Sequence, residues 1–366
     1  MTDAILTAFG RASFVAELVR ANQLSQSLLQ DNALFQLAFL KQQRRNALRE
    51  IFSGKPLRKI WLSNNIRLLE NSFSGSEFGY LDKGFFSDQD EASIQEKVSL
   101  LEDALVIVNN NDAHHAGSIE RFSEFFRHFK RVIFVVWDWD NHHWLSLSYP
   151  LAAISDIYCP SHYENLYELT RFNAATAPVP CGIVQWPAAF LKAHAEDLVS
   201  AERSDQPLGR HIMYGGFQYR NQVIATLSQR YPSVGFSTHQ FHELTPEQKF
   251  EEWMQHKLHF IVPVLNDVPI RLFDAWVTGG IPLVPESLRF SPVFSDVNAC
   301  DIAFYSAADL IEPADLIERA CRLFDEGGAA AILRRHRYGL AHHHGDERIR
   351  RMVMAAQQLL GFTLND

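Results

Sequence analysis

The chain has 366 residues, of which 47% are hydrophobic and 21% are charged. This length suits two domains of ordinary size, and this composition excludes an intrinsically disordered chain. The net charge of −9 argues against a general nucleic-acid-binding protein.

The cysteines and the N-terminus indicate the compartment. The four cysteines form neither a CxxC pair nor the spacing of a disulfide framework, which fits a reducing environment. The N-terminus has Asp3 near its start and no sustained apolar segment, so no signal peptide is predicted, and no apolar window approaches the length of a membrane span. We therefore expect a cytoplasmic protein.

Residues 1–54 are predicted to form an N-terminal helical extension, because apolar residues recur at helical intervals. The end of this extension is basic, since segment 41–59 carries seven Lys and Arg residues and a single acid, Glu50. A solvated face is one interpretation of this run. Contact with an anionic membrane surface is the other.

Residues 55–203 are predicted to form a Rossmann-like domain. Strands are expected over 59–63, 104–108 and 131–136, and a helix over 119–129. Polar residues follow the strand ends, where loops of such a domain carry ligands.

The stretch 137–144, directly after the third of these strands, holds two carboxylates and two imidazoles. Such groups can act as a general base or a nucleophile. No HExxH-like spacing is present and adjacent histidines are expected to point apart, so no metal site is predicted. The alternative is structural, with a carboxylate capping a helix near Ser146. The catalytic candidates are Asp138, Asp140, His142 and His143.

A second Rossmann-like domain is predicted over 208–345, after a charged linker segment, 196–209, that ends in a turn-forming run at 204–207. A strand at 211–214 runs into two glycines, and a helix opens at 219–221. The glycines let the backbone approach a phosphate or a sugar, and an arginine can pair with it. The candidates for substrate contact here are Gly215, Gly216, Tyr219, Arg220 and Asn221.

Segment 257–286 has the clearest sequence pattern of a βαβ unit in the chain. A strand at 259–265 stops at a turn, a helix follows, Gly279 and Gly280 end that helix, and a strand follows at 281–284. The helix N-terminus favours a phosphate, and its first turns carry an arginine and an acid on one face. The alternative is that the arginine and the acid only form a solvent-exposed pair on the helix surface. The candidates are Asn266, Pro269, Arg271 and Asp274.

Segment 271–284, with its acid before a small residue and then Gly and Pro, resembles the donor site of GT-B glycosyltransferases. Segments 153–165 and 179–183 resemble the end of the N-terminal domain of that family. The resemblance implies an α/β fold of two doubly wound Rossmann-like domains facing a cleft. It also implies that a C-terminal helix, 346–366, crosses back to the N-terminal domain.

The same resemblance assigns residues. Asp274 would bind the donor ribose, and His162 would contact substrate, although capping or packing explains His162 as readily. Asn266 stands where many retaining members of the family carry a second acid. This departure leaves inversion or retention of stereochemistry open.

The resemblance implies a metal-independent transferase that needs no cofactor beyond its nucleotide-sugar donor. The acceptor would be a glycan or a lipid-linked molecule, in cell-envelope polysaccharide synthesis or glycosylation, with possible contact at the inner face of the membrane. UDP, GDP, dTDP and CMP donors all stay open. The alternatives are a nucleotide-sugar epimerase on the same fold and a catalytically silent subunit that binds a sugar or nucleotide.

Overall fold

The computed structural model describes residues 19–26, 33–69, 78–88, 90–115, 119–237 and 244–364. These residues fall into two compact units. The N-unit takes its described residues from Ala16–Pro180 and Arg348–Asp366, and the C-unit takes its described residues from Cys181–Glu347.

The N-unit is built on one five-stranded sheet. All its strand pairs are parallel, and the strand order is β2-β1-β3-β4-β5. This order is one of the two common arrangements of doubly wound folds, and the direction of winding reverses between β1 and β3. The strands are β1 (Lys59–Leu62), β2 (Phe78–Tyr80), β3 (Ala104–Asn109), β4 (Val132–Asp138) and β5 (Ile157–Pro160).

Helices cover both faces of this sheet. The central strands β3 and β4 are buried along their whole length, and alternate residues enter two different hydrophobic clusters. One cluster includes α1 and α14, and the other includes α2, α4, α5 and α6. The helices are α1 (Ala33–Phe52), α2 (Glu91–Leu100), α3 (Asn110–His115), α4 (Ile119–His128), α5 (Leu145–Ile154), α6 (Leu166–Phe172) and α14 (Gly345–Leu360).

The C-unit repeats the same strand order. Strands β6 and β7 pair in parallel, as do β8, β9 and β10, and the Leu208 N–H donates to the Leu258 carbonyl at 2.8 Å to join the two groups. The resulting order is β7-β6-β8-β9-β10, with the switch between β6 and β8. The strands are β6 (Gly209–His211), β7 (Val234–Phe236), β8 (Leu258–Phe260), β9 (Ile281–Pro285) and β10 (Ala303–Tyr305). Both units are therefore α/β with parallel, doubly wound sheets, which confirms this part of the predicted fold class. Of the predicted N-terminal extension 1–54, residues 1–18 and 27–32 lie outside the described residues.

The helices of the C-unit follow their sequence signals. Thr245 and Gln248 form the capping box of α10, and Gly328 interrupts α13 with a φ of 54°. Within the described ranges, no helix combines the length and the apolar character needed to cross a membrane. The helices are α7 (Ala188–Ala193), α8 (Asp197–Ser200), α9 (Gln218–Arg230), α10 (Pro246–Met254), α11 (Ile270–Val277), α12 (Ala307–Ile311) and α13 (Ala314–His343).

The chain passes from the N-unit to the C-unit at Pro180 and Cys181, whereas the linker predicted from the sequence lies later, at 196–209. Segment 181–200 belongs to the C-unit because it is bonded there: the Ile183 N–H donates to the His343 carbonyl, and the Trp186 indole donates to the Pro246 carbonyl. The chain returns to the N-unit within α14, whose apolar residues pack on the end of α1.

Part of the basic segment 41–59 has a structural role. Lys41 donates to the carbonyl of Ser155, and Arg44 forms a bidentate ion pair with Asp156 at 2.5 and 2.9 Å. Burial lowers the pKa of Lys41 to about 7. These two side chains tie α1 to the residues directly before β5, so the outward basic surface is smaller than the sequence suggested.

Candidate functional site

In the C-unit, the loop after β6 is a tight turn that leads into α9. The Phe217 N–H donates to the Tyr214 carbonyl at 3.2 Å, and Gly215 and Gly216 are the central residues of that turn. A Cβ added at Gly215 would meet no atom within 4 Å. The turn therefore leaves open space at the carboxyl edge of the sheet, where a ligand can approach the backbone.

Arg220, in the first turn of α9, ties together the two strand ends at the switch point. Its Nε donates to the Val262 carbonyl at 3.1 Å and its Nη1 donates to the Ile212 carbonyl at 2.8 Å. The side chain is 6% exposed, and its guanidinium lies 5.5 Å from the centroid of the Tyr214 ring. Because the bonds fix it in place, the positive charge of Arg220 is held rigidly at the edge of the sheet.

Arg271, the second residue of α11, is half-buried beside Arg220. Burial and the neighbouring Arg271 lower the pKa of Arg220 to about 10. The pKa of buried His211 is lowered well below its usual value by burial, by Arg271 and by Arg220. Among the described residues, none accepts a hydrogen bond from the Arg271 guanidinium. Two cations thus converge where the sequence predicted a phosphate site.

The loop after β8 supplies the acidic side of this region. An Oδ1 atom of Asp267 accepts from the Val264 N–H at 2.6 Å, and Asp267 opposes the charge of both arginines. Leu265 has a φ of 58°, a strained conformation for a branched side chain. Asn266 is exposed and accepts a hydrogen bond from the Ser287 hydroxyl at 2.7 Å.

Asp274 lies on the inner side of α11 and is 1% exposed. Its Oδ2 accepts from the Gln185 amide at 2.7 Å, and its buried Oδ1 has no partner among the described residues. Burial raises its pKa to about 7, against the effects of the Gln185 hydrogen bond and Arg271. The solvated pair considered from the sequence is therefore wrong for Asp274.

The other predicted residues of the C-unit have simple surroundings. Tyr219 is 63% exposed. Asn221 donates to the Tyr214 carbonyl at 2.7 Å and so braces the glycine turn. Pro269 is the N-cap of α11, one residue before the helical position expected for it.

In the N-unit, Asp138 ends β4 and is fully buried. It accepts from the Tyr158 hydroxyl and from the Asp140 N–H, the latter at 3.0 Å. Burial raises its pKa to about 6. Asp138 thus links the end of β4 to β5 and to the loop that follows β4.

Asp140 lies two residues farther along and is half-buried. Its Oδ2 accepts from the Asn110 amide at 2.7 Å, and the Asn110 oxygen accepts from the Trp139 N–H at 3.0 Å. Asn110 therefore orients Asp140 across the ends of β3 and β4. Asp140 is the carboxylate of this stretch that keeps an exposed edge.

Three histidines meet next to these carboxylates. The His142 ring lies 4.4 Å from that of His143 and 4.2 Å from that of His162, measured between centroids. The expectation that the adjacent histidines point apart is wrong, because the loop bends to bring the rings into contact. His162 lies with the predicted catalytic residues.

The surroundings keep two of these imidazoles neutral. Both His142 and His162 are 3% exposed, and Nε2 of His162 forms a hydrogen bond with the Trp139 carbonyl oxygen at 2.9 Å. Burial lowers the pKa of His162 to about 4, and burial with the two neighbouring histidines lowers that of His142 well below its usual value. A neutral imidazole can accept a proton.

Sequence reasoning missed four residues that shape these regions. Asn110 and Asp267 had a detectable signal, because each follows a predicted strand in a polar turn. Tyr158 lies inside a strand and Gln185 in an irregular segment, and neither position has a pattern that indicates its partner. The four residues are Asn110, Tyr158, Gln185 and Asp267.

No family model matches the sequence, and no curated protein matches it. Among solved structures, a sucrose-phosphate synthase of Thermosynechococcus elongatus aligns at 13% identity and a TM-score of 0.45, covering 77% of this chain and 83% of its own. The catalytic domain of starch synthase IV of Arabidopsis thaliana, bound to ADP and acarbose, aligns at 10% identity and a TM-score of 0.44, covering 74% and 78%. A trehalose-6-phosphate synthase studied for glycosyl transfer with retention aligns at 8% identity and a TM-score of 0.46, covering 82% and 93%.

Proposed function

We propose that the protein is a glycosyltransferase whose C-unit binds the diphosphate of a nucleotide-sugar donor. The observation that carries this proposal is the pairing of Arg220 and Arg271 beside the open turn at Gly215. Two guanidiniums at the switch point of a doubly wound sheet match the negative charge of a diphosphate. The first turn of α11 adds N–H groups and the positive end of the helix dipole.

The same charges explain how the leaving group departs. When the bond between sugar and phosphate breaks, negative charge accumulates on the diphosphate. Preorganised cations stabilise that charge without reorganisation during the reaction. We propose that Arg220 and Arg271 fill this role and that the reaction needs no metal.

The N-unit supplies the proposed acceptor side. An inverting transferase needs a base to take the proton of the acceptor hydroxyl, and Asp140 is the best placed carboxylate because it is oriented yet not fully buried. His142 and His143 are the alternatives, because an imidazole can also accept a proton. In a retaining enzyme the carboxylate would act as the nucleophile on the sugar.

The proposed acceptor is a glycan or a lipid-linked molecule in cell-envelope polysaccharide synthesis or glycosylation. Lys55 and Arg58, both exposed, line an open cavity of about 380 Å³ at the end of α1. Their charge supports peripheral contact with an anionic membrane.

Differential scanning fluorimetry with UDP, GDP, dTDP, ADP and CMP tests the donor. One nucleoside diphosphate should stabilise the protein by about 2.7 kcal/mol at a hundred times its dissociation constant. CMP should act more weakly because it has one phosphate. Failure of every nucleotide to bind would overturn the proposal.

Product analysis then separates the kinds of protein. With the matching nucleotide-sugar and a lipid-linked or glycan acceptor, a transferase releases the nucleoside diphosphate in step with acceptor glycosylation. An epimerase converts the nucleotide-sugar even when no acceptor is present. A silent binding subunit leaves all substrates unchanged.

A further inference from the structure

Gln185 lies in the irregular segment that begins the C-unit, two residues after segment 179–183, and is not among the predicted site residues. Its Nε2 donates to Oδ2 of Asp274 at 2.7 Å. Both flanks of Gln185 are anchored, because the Ile183 N–H donates to the His343 carbonyl at 2.7 Å and the Trp186 indole donates to the Pro246 carbonyl at 2.7 Å. The amide therefore reaches Asp274 from a fixed segment of backbone.

The second oxygen of Asp274 is in an unusual state. Oδ1 is buried and accepts no hydrogen bond from the described residues. An unsatisfied buried acceptor is destabilising by about 1 to 3 kcal/mol, so native proteins retain one mainly where a ligand or a solvent molecule completes it. Arg271 lies close enough to influence Asp274 electrostatically, which places the unsatisfied oxygen beside the proposed diphosphate site.

We propose that Gln185 is a positioning residue: it occupies Oδ2 of Asp274 so that Oδ1 accepts a hydrogen bond from a hydroxyl of the bound sugar nucleotide. This inference rests on the proposed function. A carboxylate only accepts hydrogen bonds and a hydroxyl can donate one, so the pair selects a hydroxyl-bearing ligand. The Gln185 amide, as a donor, favours the ionised form of Asp274.

The charge state of Asp274 depends on few groups. Within its own helix Arg271 favours the carboxylate, and Gln185 does so from the opposite segment, while burial opposes both. Helix α13, which packs on α11, directs its cationic and titratable side chains at other atoms of this region. These side chains are Arg335 on the Gly279 carbonyl, His336 on the Val277 carbonyl, and His343 against the Phe273 ring.

The inference is tested by calorimetric titration of UDP, or of whichever nucleoside diphosphate stabilises the protein most, from pH 6 to 9. In the unaltered protein, affinity should rise as pH increases through about 7, because Asp274 ionises there. Gln185→Leu removes the donor, so the midpoint should move about one pH unit higher and affinity at pH 7 should fall about fivefold. Gln229→Leu, at an exposed amide near the C-terminal end of α9, should leave the profile unchanged.

The outcomes separate this inference from the proposed function. A loss of affinity in Gln185→Leu that is equal at every pH, or no loss, would overturn the positioning role. Asp274→Asn should bind weakly at every pH. If Asp274→Asn binds the nucleotide as the unaltered protein does, the assignment of Asp274 to the ligand site fails, and the Gln185 inference fails with it. If Asp274→Asn loses binding while the Gln185→Leu midpoint stays in place, only the Gln185 inference fails.

Discussion

Arg220 donates a hydrogen bond from Nε to the carbonyl oxygen of Val262, at 3.1 Å, and so bridges the strand ends on the two sides of the switch point in the C-unit. Sequence reasoning assigned Arg220 to the ligand. The structure shows that two of its N–H groups already hold the scaffold, because Nη1 is bonded to the Ile212 carbonyl. Arg220 and Arg271 should therefore respond differently to substitution.

Arg220→Met should destabilise the protein. The variant keeps the length of the side chain but leaves the Ile212 and Val262 carbonyls without their charged donor, which costs about 2 to 4 kcal/mol. Chemical denaturation followed by circular dichroism measures the change. Arg230→Met is the control: Arg230 lies on α9 like Arg220, is exposed and pairs with Glu312, so its loss should change stability by less than about 0.5 kcal/mol. Unaltered stability in Arg220→Met would contradict the scaffold role.

Arg271→Ala should weaken nucleotide binding with little effect on stability. Its guanidinium has no hydrogen-bonded partner among the described residues, so the expected loss is that of the phosphate contact, roughly 1.5 to 3 kcal/mol or about ten- to a hundredfold in affinity. Isothermal titration with the nucleoside diphosphate checks it, with Arg230→Ala as the control. Equal affinity in the two variants would remove Arg271 from the site.

Gly280→Ala should destabilise the C-unit. A Cβ at this position would lie 2.4 Å from Cδ2 and Nε2 of His259, whose ring stacks on Trp253 with centroids 4.7 Å apart. His259 is fully buried and cannot move aside, so we expect a loss of about 1 to 3 kcal/mol.

Gly215→Ala is the matched control, because its Cβ would enter open space. Thermal unfolding should show a lowered midpoint for Gly280→Ala and an unchanged one for Gly215→Ala. In Gly215→Ala, nucleotide affinity should fall instead, since the methyl group occupies the space through which a phosphate approaches the turn. Normal affinity in that variant would place the ligand away from the glycine turn.

Asp138→Asn should flatten the pH dependence of stability. Burial raises the pKa of Asp138 from 3.8 to about 6 in the folded protein, so folding favours the protonated carboxyl. The stabilisation from this group is complete below about pH 4 and is lost as pH rises through about 6, a change of about 3 kcal/mol. Asparagine does not titrate, so this component should disappear from urea denaturation series collected between pH 4 and 7. The exposed Asp82→Asn should keep the original slope, and a slope retained in Asp138→Asn would place the titration elsewhere.

Asp140→Asn should lose turnover while nucleotide affinity stays normal. The amide preserves the shape and the contact with Asn110 but cannot accept the acceptor proton, and general base catalysis contributes at least about a hundredfold. Initial rates with saturating donor measure kcat, again with Asp82→Asn as the control. Full activity in Asp140→Asn would move the role to His142 or His143, which alanine variants then test.

The sequence alone determined the elements and the fold class. Strands β3 and β4 were predicted correctly because a strand buried on both faces requires an uninterrupted apolar run. The capping box of α10 and the break at Gly328 were predicted because they depend only on neighbouring residues. It also located the polar loops, since turn-forming residues follow each buried strand.

Tertiary structure decided what each side chain in those loops does. Arg220 donates a hydrogen bond to a carbonyl 42 residues away, and Gln185 donates one to a carboxylate 89 residues away. No periodicity links such positions, because their proximity follows from strand order and register. Burial likewise distinguishes the two carboxylates of stretch 137–144. Asp138 is fully buried and accepts a hydrogen bond from Tyr158, whereas Asp140, two residues later, is only half-buried. The pKa of a carboxyl group depends on the desolvation and the donors around it, and these exist only after distant segments pack together.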